Sequence, residues 1–188
     1  MTITSTPTAD NGVNVEALLG AREAMTETRE AAAFKWRARN EWVNGVHSRT
    51  TIEDFFGAGE EQNHVKAFTY DADHPELFAA SDNAPSPVEF VLHALAACLT
   101  AGVASVAQNR GVQITSVTSV LEGDMDLAGI LGIDRATRNG YSQIRVSFNV
   151  DADTSPAEIR SIVEQSTRRS AVYDIVTNQV DVVVDVSS

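Results

Sequence analysis

The segment SPVEFVLHALAACLTAG, residues 86–102, carries the clearest structural pattern in the chain. Ser86 is a preferred helix-capping residue type, Pro87 suits the first helical position, and Glu89 follows at the spacing of a capping box. Mostly apolar residues continue from there, and Gly111 is the expected stop. The pattern predicts one long helix, and a helix so apolar on all its sides must be central to its domain.

The single cysteine of the chain, Cys98, lies in the middle of this predicted helix. A lone thiol cannot form an internal disulfide, so redox chemistry would require an external thiol or the same residue of another subunit. Two interpretations stay open. Free cysteine is often a buried packing residue, whereas a reactive thiolate in apolar surroundings needs a cation to offset its desolvation. Small residues beside the thiol would let a second helix approach closely; they are Ala94, Ala97, Ala101 and Gly102.

On the N-terminal side of this segment, the pattern predicts one amphipathic helix and then antiparallel strands. Asn44-Gly45 is a strong hairpin signal, and the prolines and aspartates before Ser86 predict a loop. The predicted elements are a helix over 13–33, strands over 34–43, 46–52 and 65–70, and a loop over 71–86.

On the C-terminal side, two strands, two helices and a last strand are predicted. Ser155, Pro156 and Glu158 repeat the helix-start signal seen at Ser86. The predicted elements are strands over 114–122 and 141–150, helices over 156–168 and 170–176, and a strand over 180–186. Because strands and helices do not alternate strictly, the fold class is α+β with antiparallel pairing. We divide the chain into an N-terminal tail and helix, 1–33, and a main domain, 34–188.

Composition argues against several classes of partner. Acidic residues outnumber basic residues 26 to 14, so nucleic acid and anionic membrane surfaces are not expected partners. Residues 1–12 lack the basic start and apolar core of a signal peptide, and no apolar run approaches the length needed to span a bilayer, so we expect a cytoplasmic protein. The four histidines show no metal-ligand spacing, and no phosphate-binding glycine motif occurs. We therefore expect no metal and no cofactor.

Several short motifs, in this order, resemble the OsmC/Ohr family of osmotically induced and organic-hydroperoxide-resistance proteins. The resemblance extends over about 34–186, and the pairing of the first two motifs is its most specific part. The motifs are APSPVE at 84–89, LAAC at 95–98, GVQI at 111–114, EGD at 122–124 and RSAVYDI at 169–175.

The resemblance implies a curved antiparallel sheet wrapped around two central helices in an intertwined homodimer, with thiol sites at the subunit interface. In that family a reactive cysteine, a resolving cysteine, an arginine and a glutamate reduce hydroperoxides. Cys98 matches the reactive position, and Ser170 stands where the resolving cysteine would be. Arg49 is the candidate arginine, because it follows the first hairpin turn as the arginine of the family does. Arg37 and Arg39 stay open as alternatives.

Glu89 is the candidate acid, although its match to the family is imperfect. Val88 separates Glu89 from the proline that the acid follows directly in the peroxide-reducing members. Nine residues separate Glu89 from Cys98, which places them on opposite sides of an ideal helix at about 100° per residue. The capping box explains Glu89 without any catalytic role.

The sequence and the resemblance together predict a thiol peroxidase that uses Cys98 alone, with an organic hydroperoxide as substrate and an external thiol or dithiol as reductant. The alternative is a non-catalytic dimer of the same fold, which binds a small hydrophobic ligand or senses redox state. In that alternative Cys98 is a packing residue or a sensor. A purely structural dimer, without an interface pocket, is a third interpretation.

Overall fold

The computed structural model describes residues 9–187, and the chain divides into two compact units. The first, here called the thiol unit, comprises Met1–Val13 and Leu92–Ser188, and the second, the sheet unit, is Asn14–Val91. Residues 1–8 of the predicted tail and residue 188 lie outside the described residues.

The sheet unit begins with helix α1, Val15–Glu27, which is followed by a 3₁₀ turn at Arg29–Ala32. The side chain of Asn14 caps α1 by accepting a hydrogen bond from the Ala17 N–H at 2.9 Å. The prediction of one helix over 13–33 is wrong at its C-terminal end, because α1 ends at Glu27. Thr28, with φ of -119° and ψ of 89°, leaves the helical region and separates the two pieces.

Four antiparallel strands follow: β1 at Lys35–Trp36, β2 at Arg39–Asn44, β3 at His47–Gly57 and β4 at Glu60–Ala72. β3 is central, because β4 pairs along one edge while β1 and β2 share the other edge end to end. The predicted hairpin is confirmed, with its turn one residue later than expected, at Gly45 and Val46, because Asn44 still belongs to β2 and pairs with His47.

Two predictions for this sheet need correction. The strand predicted over 34–43 is divided in two at residues 37–38, and β3 and β4 are longer than predicted. They meet at a tight turn where Ala58 and Gly59 both have positive φ. Charged residues on both strands near this turn had obscured the apolar alternation on which the prediction relied.

Helix α2, Pro87–Asn109, crosses the division between the units and ends as predicted, with Gly111 at φ of 69°. In the thiol unit it is followed by the hairpin of β5, Ile114–Asp124, and β6, Gln143–Ala152, and by α3, Pro156–Arg169, and α4, Ala171–Thr177. The buried core of this unit comprises Val103, Val106, Ala107, Val112 and Ile162.

Helices α2 and α3 run antiparallel in close contact. A Cβ atom at Gly102 would lie 2.2 Å from Ser166 Oγ, so only glycine fits at this crossing. Ser166 is 2 % exposed and donates a hydrogen bond to the Leu99 carbonyl at 2.8 Å. At the other end of the contact, Arg110 donates to Glu158 of α3 at 2.8 Å. The close approach expected from the small residues of α2 is confirmed.

The segment before α1 is held against the end of α2 and the start of β5. Asn11 donates to the Val112 carbonyl at 2.8 Å and accepts from the Ile114 N–H at 2.9 Å. The Gln108 side chain accepts a hydrogen bond from the Asn11 N–H and donates one to the Ala9 carbonyl. These paired contacts fix residues 9–11 on the thiol unit.

The strand predicted over 180–186 is not formed in the single chain. Val180, Val182, Val183, Val184 and Val186 are between 54 % and 89 % exposed, and the structure assigns no strand to residues 179–187. Alternating residues specify a strand's faces, but a strand also requires a neighbouring edge to pair with. The sequence pattern carried no information about that edge.

The expectation that no apolar run could cross a bilayer is also wrong, because α2 is long and apolar enough to do so by length and composition alone. A single such helix is weak support for a span, since a core helix of a soluble protein has the same properties. Five residues of α2 are buried within the protein, which fits a core helix; they are Leu95, Leu99, Val103, Val106 and Ala107.

Candidate functional site

The Cys98 sulfur lies against the hydroxyl group of Ser170. Ser170 Oγ donates a hydrogen bond to Cys98 Sγ at a distance of 3.0 Å. Ser170 is only 6 % exposed, whereas Cys98 is half-buried. The structure thus brings together the one thiol and a buried hydroxyl that are 72 positions apart in the chain.

The α2–α3 contact produces this juxtaposition. Cys98 stands four residues before Gly102 on α2, and Ser170 stands four residues after Ser166 of α3. Residues four apart lie on the same face of a helix. Because Gly102 contacts Ser166 and the helices are antiparallel, the next turn of each brings Cys98 to Ser170.

Ser170 forms the corner between two helices and is held by its own backbone. Its N–H donates to the Thr167 carbonyl at the end of α3, and its carbonyl accepts from the Asp174 N–H. Its Oγ also accepts from the Tyr173 N–H at 3.1 Å, which makes Ser170 the N-cap of α4. The hydroxyl that faces the sulfur is therefore part of a rigid turn.

Glu89 forms the capping interaction at the start of α2. Its Oε2 accepts from the Ser86 hydroxyl at 2.7 Å and from the Ser86 N–H at 2.8 Å. The hydroxyl and backbone donors of Ser86 hold the pKa of the Glu89 carboxyl below its ordinary value. Glu89 is thus an ionised cap, and the structure gives it no bond to a reacting group among the described residues.

Arg49 lies on β3, directly opposite Asp71 of β4. Its Nε donates to Asp71 Oδ1 at 2.9 Å and its Nη2 to Asp71 Oδ2 at 3.3 Å, while His47 Nε2 lies 3.1 Å from the same carboxylate. The guanidinium of Arg49, with His47 in support, holds the pKa of Asp71 below its ordinary value, and Asp71 raises that of Arg49. Sequence reasoning missed Asp71 and His47, because only the β3–β4 register reveals the pairing.

The two alternative arginines are held by a different carboxylate. Arg37 and Arg39 both bind Asp54 of β3, and Arg37 also binds Glu61 of β4. Hydrogen bonds from these guanidinium groups lower the pKa of Asp54, and the bond from Arg39 has the largest effect. All three candidate arginines are therefore engaged by acidic residues of the sheet unit.

A buried carboxylate organises the loop that leads to α2. Asp73 is 2 % exposed, and its oxygens accept from the N–H groups of His74 and Asn83 and from the Asn83 side chain. These donors lower the pKa of Asp73, and the backbone N–H of Asn83 has the largest effect. Asp73 fixes the loop conformation from which Ser86 starts the helix.

Within residues 9–187, no group of three or more histidine, cysteine, aspartate or glutamate side chains is arranged to hold a metal ion.

The model of the OsmC-like protein family matches residues 80–185, a range that includes Glu89, Cys98 and Ser170. The chain belongs to the OsmC-like family. Arg49 lies before the matched range. The resemblance expected from the sequence and the α+β OsmC-like fold are both confirmed. No curated protein matches the chain significantly.

Solved structures agree with this fold. The OsmC-like protein of Mycoplasma pneumoniae is 15% identical, with a TM-score of 0.58, over 76% of this chain and 87% of that one. An organic hydroperoxide resistance protein, OsmC, of Legionella pneumophila is 12% identical, with a TM-score of 0.50, over 75% of this chain and 89% of that one. At such low identity these likenesses establish the fold alone.

Proposed function

We propose that this OsmC-like protein reduces organic hydroperoxides through Cys98, with an external thiol as reductant. The observation that carries the proposal is the half-buried Cys98 sulfur, which accepts a hydrogen bond from a rigidly held hydroxyl. Membership in the OsmC-like family and the likeness to a structure named as an organic hydroperoxide resistance protein support a redox role. We place the reaction in the cytoplasm, where thiol reductants are abundant.

The proposed reaction needs three steps. The Cys98 thiolate attacks the terminal peroxide oxygen, the O–O bond breaks, and the leaving alkoxide takes a proton to become an alcohol. Cys98 is then a sulfenic acid. One external thiol displaces its oxygen as water and forms a mixed disulfide, and a second thiol releases Cys98 as the thiol. The net change is that one hydroperoxide and two thiols give an alcohol, water and one disulfide.

The reductant must be external because the chain has no second cysteine. Ser170 contacts the sulfur but cannot form a disulfide with it. We infer the substrate class from the helix that carries Cys98, because its mostly apolar sequence would give the site an apolar wall. This wall favours an alkyl hydroperoxide over hydrogen peroxide. The direct test is consumption of an alkyl hydroperoxide in the presence of a dithiol.

Arg49 is the cation that we assign to the thiolate, and its pairing with Asp71 supports this role. Asp71 engages Nε and Nη2, which orients the guanidinium and leaves Nη1 for another acceptor. We expect Arg49→Ala to slow oxidation of Cys98 by stoichiometric alkyl hydroperoxide by about tenfold or more, since a bond to a charged group is lost. Mass spectrometry of the trapped sulfenic acid measures this rate.

The matched controls are Arg37→Ala and Arg39→Ala, which remove guanidinium groups from the same sheet and leave Arg49 in place. We expect both to oxidise at nearly the wild-type rate. If Arg49→Ala oxidises normally and one of the controls is slow, the cation is assigned to the wrong arginine.

We infer that the protein is a homodimer. Helix α1 has no buried residue, and the five valines between 180 and 186 are exposed in the single chain. A second copy can supply both the edge that the last segment needs and the cover for these apolar side chains. Sedimentation should give about twice the 20.2 kDa chain mass, and a 20.2 kDa species alone at micromolar concentration would exclude the dimer.

The second candidate function is redox sensing without turnover, and the missing second thiol is the observation that favours it. A sensor forms one sulfenic acid per chain and stops, whereas a peroxidase consumes a large excess of hydroperoxide while dithiol lasts. A packing cysteine does neither, because it reacts only after unfolding. The consumption assay therefore separates the three interpretations.

A further inference from the structure

We propose that Ser170 is a second catalytic residue, whose hydroxyl group stabilises the anionic sulfur of Cys98 through a directed hydrogen bond. The inference deepens the proposed function, on which its consequence for hydroperoxide reduction rests. Its chemical core, a thiolate held by a neutral alcohol, can be tested without any peroxide.

The hydroxyl proton of Ser170 is directed by the helix cap. A serine hydroxyl has one proton and two lone pairs. The Tyr173 N–H, at 3.1 Å, points at the oxygen and so occupies a lone pair. One lone pair and the proton remain for the sulfur, and Cys98 Sγ lies at 3.0 Å. An ionised sulfur can only accept, so Ser170 is the donor whenever the thiol has lost its proton. The cap of α4 thus leaves the Ser170 hydroxyl in place as a donor to the anionic sulfur.

A donor that is already in place stabilises the charged form of the sulfur more than the neutral form. Three other hydrogen bonds restrain Ser170. Its N–H donates to the Thr167 carbonyl, its carbonyl accepts from the Asp174 N–H, and its Oγ accepts from the Tyr173 N–H. Ser170 therefore needs little reorganisation when the thiol loses its proton, which is the condition for effective electrostatic stabilisation. Burial of the hydroxyl strengthens the bond by excluding competing water.

Three variants separate this role from helix capping. Ser170→Thr retains both the cap and the donor. Ser170→Gly retains most of the cap's contribution to stability, since glycine is an acceptable N-cap, but removes the donor. Ser170→Ala removes both. Thermal unfolding of each variant reports the cap, and the rate of iodoacetamide alkylation of Cys98 between pH 5 and pH 10 reports the thiolate.

We expect Ser170→Gly and Ser170→Ala to be alkylated about tenfold more slowly than wild type at pH 7, because each loses one hydrogen bond to a charged group. At high pH, where every thiol is ionised, their rates should equal the wild-type rate. Ser170→Thr should remain within about twofold of wild type at pH 7, since its hydroxyl preserves the bond. Only Ser170→Ala should show a clearly lower melting temperature.

Two results would overturn the proposal. If Ser170→Gly is alkylated like wild type at every pH, then Ser170 is only a cap. If both variants that lack a hydroxyl react faster at every pH, Ser170 merely shields the sulfur. The proposed function fails separately, since a Ser170-dependent alkylation profile in a protein that does not consume hydroperoxide would leave this inference standing.

Discussion

Cys98→Ser should reduce hydroperoxide consumption to the rate of dithiol and buffer alone. Cys98 is the only thiol in the chain, and the serine hydroxyl that replaces it is not ionised near neutral pH. The change is close to isosteric and keeps a hydrogen-bonding group beside Ser170, so the fold should persist. The measurement is the decay of an alkyl hydroperoxide with excess dithiol, compared with wild type at equal concentration.

The control for this loss is the circular dichroism and melting temperature of Cys98→Ser, which should match those of wild type closely. Residual turnover at more than a small fraction of the wild-type rate would show that another group reduces the peroxide. That result would remove Cys98 from the mechanism.

Ser170→Cys should form an internal disulfide with Cys98 after one equivalent of alkyl hydroperoxide. The replaced oxygen lies 3.0 Å from Cys98 Sγ, so the new sulfur begins close to the geometry that a disulfide requires. The disulfide would join positions that are 72 residues apart and so restrict the unfolded chain. It should therefore raise the free energy of unfolding of the oxidised protein by about 4 kcal/mol relative to the reduced protein. Loss of the serine cap should offset about 1 kcal/mol of this gain.

The disulfide is measured by the loss of both free thiols, by a mass decrease of two hydrogens and by a higher melting temperature that dithiothreitol reverses. It should also prevent over-oxidation, because the second thiol captures the sulfenic acid before another peroxide arrives. The control combines Ser170→Cys with Cys98→Ser and can form no internal disulfide. Two free thiols in Ser170→Cys, under conditions that oxidise wild-type Cys98, would contradict the geometry of the site.

Local signals in the sequence were sufficient to predict the helices that carry the site. The capping box at Ser86 and Glu89, the stop at Gly111 and the second cap at Ser155 all lie within a few residues of what they specify. The small residue Gly102, four positions after Cys98, also indicated that another helix would approach near the thiol. Such signals are readable because backbone capping and helical periodicity depend on near neighbours alone.

Features that depend on distant pairing could not be predicted in the same way. The bond between Arg49 and Asp71 follows from the register of β3 and β4, which the charged residues near their turn concealed. The division between β1 and β2 has the same origin, since each pairs with a different part of β3. Residues 180–186 show the limit most clearly, because their alternation predicts a strand and the structure assigns none to them.

The most direct test of the account is a sulfenic acid trap applied to native protein with one equivalent of alkyl hydroperoxide. Mass spectrometry of the peptide that contains Cys98 should show the trap adduct on most chains, and the same sample without peroxide should show none. The account is contradicted if Cys98 stays unmodified in the folded protein and reacts with a thiol reagent only after denaturation.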